Sequence, residues 1–251
     1  MAGAPLRLVD TGLAPARWNV AVTAALAEAR RWPAARDVLR FHRYRPAVLV
    51  GCGQRLADAV DAAACRRAGV EIARRVSGGG AIVVTPSVLT FDLIVAGGAR
   101  DLAIRVASAV AGALGELGAA PVTSTANAVL IGGAKVCGLA GSFDGRISAL
   151  QASLLIADIG PAIAMLLAPQ IAAAKGPAMT DLTAALGRRP GLDTVQAAIG
   201  KAVAAALTLA PQPDRLTTAE RDLAGRLLAE EIGTDAFVDG DRPEPHRVGA
   251  L

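Results

Sequence analysis

Ala73-Arg74-Arg75-Val76-Ser77-Gly78-Gly79-Gly80-Ala81 is the stretch on which the reading of this chain turns. Three consecutive glycines follow an arginine pair and a serine, so their amide groups stand clear for a ligand's carbonyl or phosphate oxygen to approach. The runs on either side, Val70 to Ala73 and Ala81 to Val84, are short and apolar and read as buried strands. A glycine-rich link between two strands is as readily a plain turn as a pocket wall, and two further stretches are needed to choose.

One is Asn127-Ala128-Val129-Leu130-Ile131-Gly132-Gly133-Ala134-Lys135-Val136-Cys137-Gly138-Leu139-Ala140-Gly141. Two apolar runs meet at Gly132-Gly133, and glycine supplies the positive φ that a tight hairpin turn requires. Strict alternation puts Lys135, Cys137 and Leu139 on one face of the returning strand. A lysine on an inner strand face needs an anionic partner. On an edge strand the same lysine points to water, and spacing leaves both readings open. The other stretch, Ala149 to Asp158, reads as a further strand.

Around these three the chain alternates between strands and helices. Leu6 to Asp10 reads as a strand closed by a Thr11-Gly12 turn, and Ala16 to Ala29 as an amphipathic helix carrying Trp18, Val22, Ala25 and Leu26. From Val38 to Tyr44 the alternation groups Val38, Arg40, His42 and Tyr44 on one face, with His42 expected at the surface or in a hydrogen bond. Ala47 to Val50 is a strand, Asp58 to Ala68 a helix capped by Gly69, and Pro86 to Ala96 a strand with one apolar face. Helices are expected over Ala99 to Gly118, from Ile163 to a break at Gly176-Pro177, from Thr180 to Gly187, and over Thr194 to Leu207. Pro211-Gln212-Pro213-Asp214 reads as a linker, and Thr217-Thr218-Ala219-Glu220 as a capping box opening a last helix to about Ile232. Residues 239–251, His246 among them, read as a frayed tail without a role.

At 251 residues the chain can form one large α/β domain with a small appendage. The apolar fraction is 53%, much of it alanine, and no run approaches the roughly 18 residues of a membrane span, so no membrane partner is expected. Aromatic residues, at 3%, are too scarce for stacking bases, and the +4 net charge is scattered. That balance suits an acidic protein partner or a phosphate-bearing substrate rather than nucleic acid. Met1 to Asp10 lacks the pattern of a secretory signal, and Cys52, Cys65 and Cys137 follow no metal-ligand spacing. A cytoplasmic protein without a disulfide framework or zinc site is expected.

Taken in order, the Arg-Val-Ser-Gly-Gly-Gly-Ala loop, Asn127 with its lysine hairpin, and the Ser153-Leu154-Leu155 strand resemble the lipoate–protein ligase and octanoyltransferase family, which shares its catalytic fold with biotin–protein ligases. The resemblance covers nearly the whole chain, including Asn19, the Gly51-Cys52-Gly53-Gln54 turn, Gly133 to Ala140, and Leu216 to Glu220. It implies an α/β fold of α+β type, with a mixed, largely antiparallel sheet flanked by helices. Residues 1–210 would form the catalytic domain, and 211–251 a linker, short helix and tail.

By this resemblance Lys135 is catalytic. It would stabilise charge as a carboxylate attacks the α-phosphate of ATP, and again as an acceptor lysine attacks the acyl-adenylate. Arg75, Ser77, Gly78, Gly79, Gly80, Ala81, Asn127, Gly138 and Ser153 would bind the acyl group and the nucleotide. The resemblance further implies ATP with Mg²⁺ and lipoate as reactants, an apo lipoyl domain as acceptor, an accessory ligase subunit as a further partner, and no metal site made by protein alone.

The family pattern is not kept throughout. Val84-Thr85 stands where a His-Asp pair usually follows the loop, Ala128 where an Asp follows the Asn, and Gln151-Ala152 where His-Gly precedes the Ser. Two other readings therefore stay open. One is an ATP-independent acyltransferase, with Cys137 as nucleophile and its thiol pKa lowered by Lys135. Transferases of the family carry their cysteine in the loop matching Ser124 to Ala126, which has none. The other is a non-catalytic relative that binds a lipoyl group or lipoyl domain or serves as one subunit of a two-protein ligase.

Overall fold

A computed structural model describes residues 4–98, 101–159, 166–168 and 178–240. Its strands are β1 (Ala4–Ala14), β2 (Asp37–Tyr44), β3 (Ala47–Val50), β4 (Glu71–Arg74), β5 (Ile82–Val84), β6 (Val88–Ala96), β7 (Val122–Thr125), β8 (Ala128–Ile131), β9 (Ala134–Phe143), β10 (Ile147–Leu155) and β11 (Leu209–Asp214). The described helices are α1 (Ala16–Ala29), α2 (Leu56–Ala59), α3 (Ala62–Ala68), α4 (Leu102–Glu116), α5 (Leu182–Leu186), α6 (Leu192–Leu207), α7 (Thr218–Leu227) and α8 (Asp235–Asp239), with a π turn over Leu228–Ile232.

Eight strands form one sheet in the order β11-β1-β2-β6-β10-β9-β8-β7, parallel from β11 to β2 and antiparallel beyond. A second sheet, β4-β3-β5, stands apart. The expected mixed, largely antiparallel sheet with flanking helices is what forms. One face of the large sheet packs Leu39, Phe41, Phe91, Leu93 and Leu154 against Val106 and Val110 of α4 and Ile199 and Val203 of α6. The opposite face meets α1, α7 and the small sheet, through Val38, Tyr44, Val88 and Ile94 against Val22, Leu26, Leu49, Val84 and Leu223.

Local rules account for most boundaries. Asp61 accepts the Ala64 amide at 2.8 Å and caps α3, while Gly69 ends it at φ 64°. Val60 is extended, so the single helix expected over Asp58 to Ala68 is two. The capping box at Thr217 and Glu220 is present. The N-terminus of α1 is capped from a distance: the Glu71 carboxylate on β4 accepts from the amides of Ala16 (2.6 Å) and Arg17 (3.1 Å).

Three expectations need correction. Pro211-Gln212-Pro213-Asp214 is not a linker; it lies in β11, the parallel edge partner of β1. Prolines two residues apart can turn both donor-less nitrogens away from β1, which an edge strand tolerates. β1 runs through the supposed Thr11-Gly12 turn with an irregularity between Asp10 and Leu13. β6 is buried on both faces rather than one, because the small sheet and α1 cover the side that carries Thr90 and Asp92. The expectations for Ala99, for Ile163 to Met165, for Gly176-Pro177, and for the tail beyond Gly240 with His246 lie outside the described residues.

Candidate active site

Between the large sheet and the small one lies a cavity of about 710 Å³. Leu49, Arg75, Gly79, Gly80, Ala81, Ile82 and Val83 wall it on one side; Val88, Thr90, Gly138, Ala140, Gln151 and Ser153 form the sheet side. Lys135, Asn127, Asp158, Met179, Thr180 and Asp181 also line it. Of the residues expected to bind substrate, Arg75, Gly79, Gly80, Ala81, Asn127, Gly138 and Ser153 border this space together with Lys135.

Ser77 and Gly78 are not among the lining residues. Ser77 is fully buried and donates its hydroxyl to Gln151 Oε1, which pins the loop to β10. The Gly78 carbonyl accepts from Arg75 at 2.8 Å. The Arg75 guanidinium also donates to Leu49 O (3.2 Å) and Gly80 O (3.1 Å), so it braces the loop from within. Burial lowers its pKa from the ordinary arginine value.

The loop's glycines are needed for approach as well as conformation. Gly79 has φ +93°. A Cβ on Gly51 would sit 2.0 Å from the Gly79 carbonyl oxygen, so the Gly51–Gln54 turn can pack on the loop only without a side chain there.

The lysine hairpin brings a correction. The β8–β9 register shifts between Val129 and Leu130, pairing Val129 with Cys137 and Leu130 with Lys135. The extra residue, Val136, reverses the alternation, so Lys135 lies on the face of Gly138 and Ala140 and Cys137 on the opposite one. A Cβ on Gly138 would be 3.2 Å from Lys135 Cε and Nζ, which locates the ammonium over that glycine. Cys137 is fully buried in the apolar core with Leu139, Ala152 and Leu154. Burial pushes its thiol up to about 12, and Lys135 offsets only part of that. The expected low-pKa thiol on the lysine face is absent. Cys65 is buried elsewhere, and Cys52 is not among the cavity lining.

Beneath the loop lies a buried polar network. Asp92 accepts from Arg40 (3.1 Å), Thr23 (2.7 Å) and Gln151 (3.0 Å), and Arg40 also donates to Asn19 and to Thr11 (2.9 Å). Burial raises the Asp92 carboxyl and lowers the Arg40 guanidinium from their ordinary values. Asn19 of the quoted pattern is thus a structural member, also donating to Arg43 O at 2.9 Å.

His42 is neither at the surface nor hydrogen-bonded through its ring. It is fully buried, with Nδ1 3.7 Å from Asp92 Oδ2, and stacks edge-on to Tyr44 at 5.0 Å. Burial and Arg40 lower its pKa well below the usual value, so it is neutral at pH 7.

Sequence reasoning missed Tyr44 and Thr90 at the cavity and read no role into Gln151. Alternation already groups Tyr44 with Arg40; what it cannot show is the cross-strand register that sets Ser153 opposite Thr90 and Gln151 opposite Asp92. Asp92 is consumed by the network, while Asp144 caps the β9–β10 turn and pairs with Arg31. The carboxylates at the cavity are Asp158 and Asp181. Among the described residues no cluster of three or more metal-ligating side chains occurs, and no helix is long and apolar enough to cross a membrane.

The glycine loop and Lys135 thus border one largely apolar cavity, and glycine amides beside a cation are chemistry that can meet an anionic oxygen. The family model described as lipoyl protein ligase A/B catalytic domain matches residues 15–204, and the chain belongs to that family. Among curated relatives, octanoyltransferase LipM of Moorella thermoacetica is 33% identical over 120 residues, 45% of this chain and 44% of that protein. The alignment thus spans less than half of that relative. LipM of Symbiobacterium thermophilum is 27% identical across 91% of this chain and 96% of its own length.

The fold is that of a bi-partite lipoate protein ligase from Thermoplasma acidophilum, studied with its E2 lipoyl domain (TM-score 0.84, 22% identity, 96% of this chain and 98% of that one). It is equally that of lipoate-protein ligase A bound with ATP (TM-score 0.82, 22% identity, 96% of this chain and 100% of that one).

Proposed function

We propose that this protein attaches lipoate or octanoate to the acceptor lysine of a lipoyl domain, activating the acid with ATP as an acyl-adenylate. The observation that carries the reading is the cavity itself: Lys135 lies over Gly138 facing the glycine loop, and no cysteine is among the described lining residues. An acyl chain gains about 0.8 kcal/mol for each methylene it buries among Leu49, Ile82, Val83 and Val88.

In the first half-reaction the substrate carboxylate oxygen attacks the α-phosphorus and pyrophosphate leaves. In the second the acceptor amine attacks the acyl carbon and AMP leaves. Charge builds on oxygen in both, and the Lys135 ammonium with the amides of Gly79 and Gly80 would stabilise it. Mg²⁺ is commonly held by one or two carboxylates with phosphate oxygens and water. Asp158 and Asp181, which line the cavity, would supply such carboxylate oxygens, although Asp181 Oδ1 also accepts the Ala184 amide at 2.8 Å; a bound ion would neutralise phosphate charge.

A second reading draws on the curated relatives, which are named octanoyltransferases. Acyl transfer from a carrier thioester would here proceed without Cys137, whose thiol faces the core. The polar residues lost at Val84, Ala128 and Gln151 also keep in view a subunit that needs a partner, a bi-partite ligase being among the structural neighbours.

Intact-mass spectrometry of an apo lipoyl domain separates these readings. Acyl addition that requires lipoate and Mg-ATP supports the ligase. Addition only from an octanoyl carrier replaces it with the transferase, and no addition in either mixture overturns both as activities of the isolated chain.

A further inference from the structure

The two arginines that open the glycine loop differ in what they hold. Arg75 braces the loop from within, whereas Arg74, the last residue of β4, is fully buried and is not among the described cavity lining. Its guanidinium joins two separate stretches of chain. Nη1 donates to Gly51 O (3.1 Å) and Gln54 O (2.6 Å), the two ends of the Gly51–Gln54 turn. Nε donates to Phe237 O and Val238 O (each 3.1 Å), and Nη2 to Val238 O (2.7 Å) and Gly240 O (3.0 Å), carbonyls at the C-terminal end of α8. A helix leaves its last carbonyls without partners of its own, and a buried arginine needs an acceptor for every N–H, so each supplies what the other lacks.

The turn passes this grip on to the loop. The Cys52 amide donates to Ser77 O (3.0 Å), and Gly51 stands so close to Gly79 that a Cβ there would collide with the Gly79 carbonyl oxygen. Gly79 lines the cavity. For its part α8 is fixed to the body of the protein: Thr234 accepts the Phe237 amide (3.2 Å), Val238 is buried, and Arg17 donates to Gly233 O (2.7 Å) and pairs with Asp235 (2.8 Å). Contacts thus run without a break from α8 through Arg74 and the turn to Gly79, although no residue of the turn or of α8 is among the described cavity lining.

Resting on the acyl reading above, we infer that Arg74 is a positioning residue for acyl binding, holding Gly79 and Gly80 in place through the Gly51–Gln54 turn, and that residues 234–240 serve the site through it. The acyl-binding unit then extends to Gly240 instead of closing near residue 210. One rigid, planar guanidinium spans both stretches. Displacing α8 leaves its N–H groups buried and unmet, and the turn and loop must shift to relieve them.

Calorimetric titration of the full chain with lipoate tests this, at a temperature where every variant is folded. Arg74→Lys keeps the charge but cannot span both stretches, and is expected to bind lipoate about tenfold more weakly. Thr234→Ala removes the cap of α8 and is expected to weaken binding about threefold. Because both act through the same contacts, the double variant should bind no more weakly than Arg74→Lys alone, a non-additivity that a general loss of stability does not produce. Amide hydrogen exchange at Cys52 should quicken in each variant. Parental lipoate affinity in both single variants, or losses that multiply in the double variant, overturns the inference while leaving the acyl reading intact. If Arg74→Lys does not fold, Thr234→Ala decides alone: weaker binding with faster exchange at Cys52 supports the inference, and unchanged values overturn it. A parent chain that binds no lipoate overturns both.

Discussion

The two faces of the large sheet are built from alternate residues of the same strands, yet they are different materials. On the side of α4 and α6, Leu39, Phe41, Phe91, Leu93 and Leu154 make a dry core. On the side of α1 and the small sheet, the intervening positions Arg40, Thr90, Asp92, Gln151 and Ser153 carry hydrogen-bonding groups, and the cavity opens there. The dry face stabilises by excluding water; the polar face gives up some of that gain to hold a loop, a lysine and a ligand. Which face a side chain meets decides its chemistry, as Lys135 and Cys137, two residues apart, demonstrate.

The sharpest way to break this comparison is to remove the lysine proposed to act at the cavity. Lys135→Ala should lower acyl transfer to the lipoyl domain by at least about 10²-fold while shifting the melting temperature by no more than about 2 °C. Activity near the parent level would remove Lys135 from the site.

Next in size is the network beneath the loop. Asp92→Ala removes the buried carboxylate paired with the Arg40 guanidinium and should cost about 3–5 kcal/mol in denaturant unfolding. A loss below about 1 kcal/mol would mean the polar face is as tolerant as a surface.

A smaller effect is expected at the edge of the sheet. Arg7 donates to Asp214 (2.7 Å) and Glu220 (3.0 Å), joining β1 to β11 and α7. Burial alone would raise the Glu220 carboxyl, but hydrogen bonds from Arg7 and Thr217 outweigh it and its pKa is lowered. The amide of Arg215 and then Arg7 lower Asp214 as well. Groups lowered on folding contribute stability above their unfolded pKa values and lose it as pH falls through the folded ones. Melting temperature should therefore drop between about pH 5 and pH 3, and Arg7→Met should flatten that drop. An unchanged slope in the variant would assign the acid sensitivity elsewhere.

The smallest effect belongs to the dry face. Cys137→Ala should cost on the order of 1 kcal/mol of stability and leave acyl transfer within about twofold of the parent. Loss of transfer with folding intact would return the thiol to the mechanism.

Much of this is legible from residues alone. The glycine loop, the Gly132-Gly133 hairpin and the Thr217–Glu220 capping box are local devices, set by φ preference and by side chains reaching three residues along the chain. Lys135, Arg75, Asn127, Gly138 and Ser153 belong to one site by their motifs, and they border one cavity. What local rules cannot supply is register. The bulge at Val136 depends on how β8 meets β9, and it alone moves Cys137 off the lysine face. Likewise the edge partner of Pro211 to Asp214 is β1, about two hundred positions away in the chain, which no nearby residue announces.

By itself, then, the sequence determined the elements, the glycine-lined wall and the lysine opposite it, because turn geometry, alternation and helix caps act within a few residues. Only the tertiary structure decided that Asp92 is spent on Arg40, that Glu71 caps α1, and that His42 is fully buried beside Tyr44 and Asp92. Those outcomes depend on which strands lie side by side and on the desolvation this imposes, and neither is encoded in any short window of the chain.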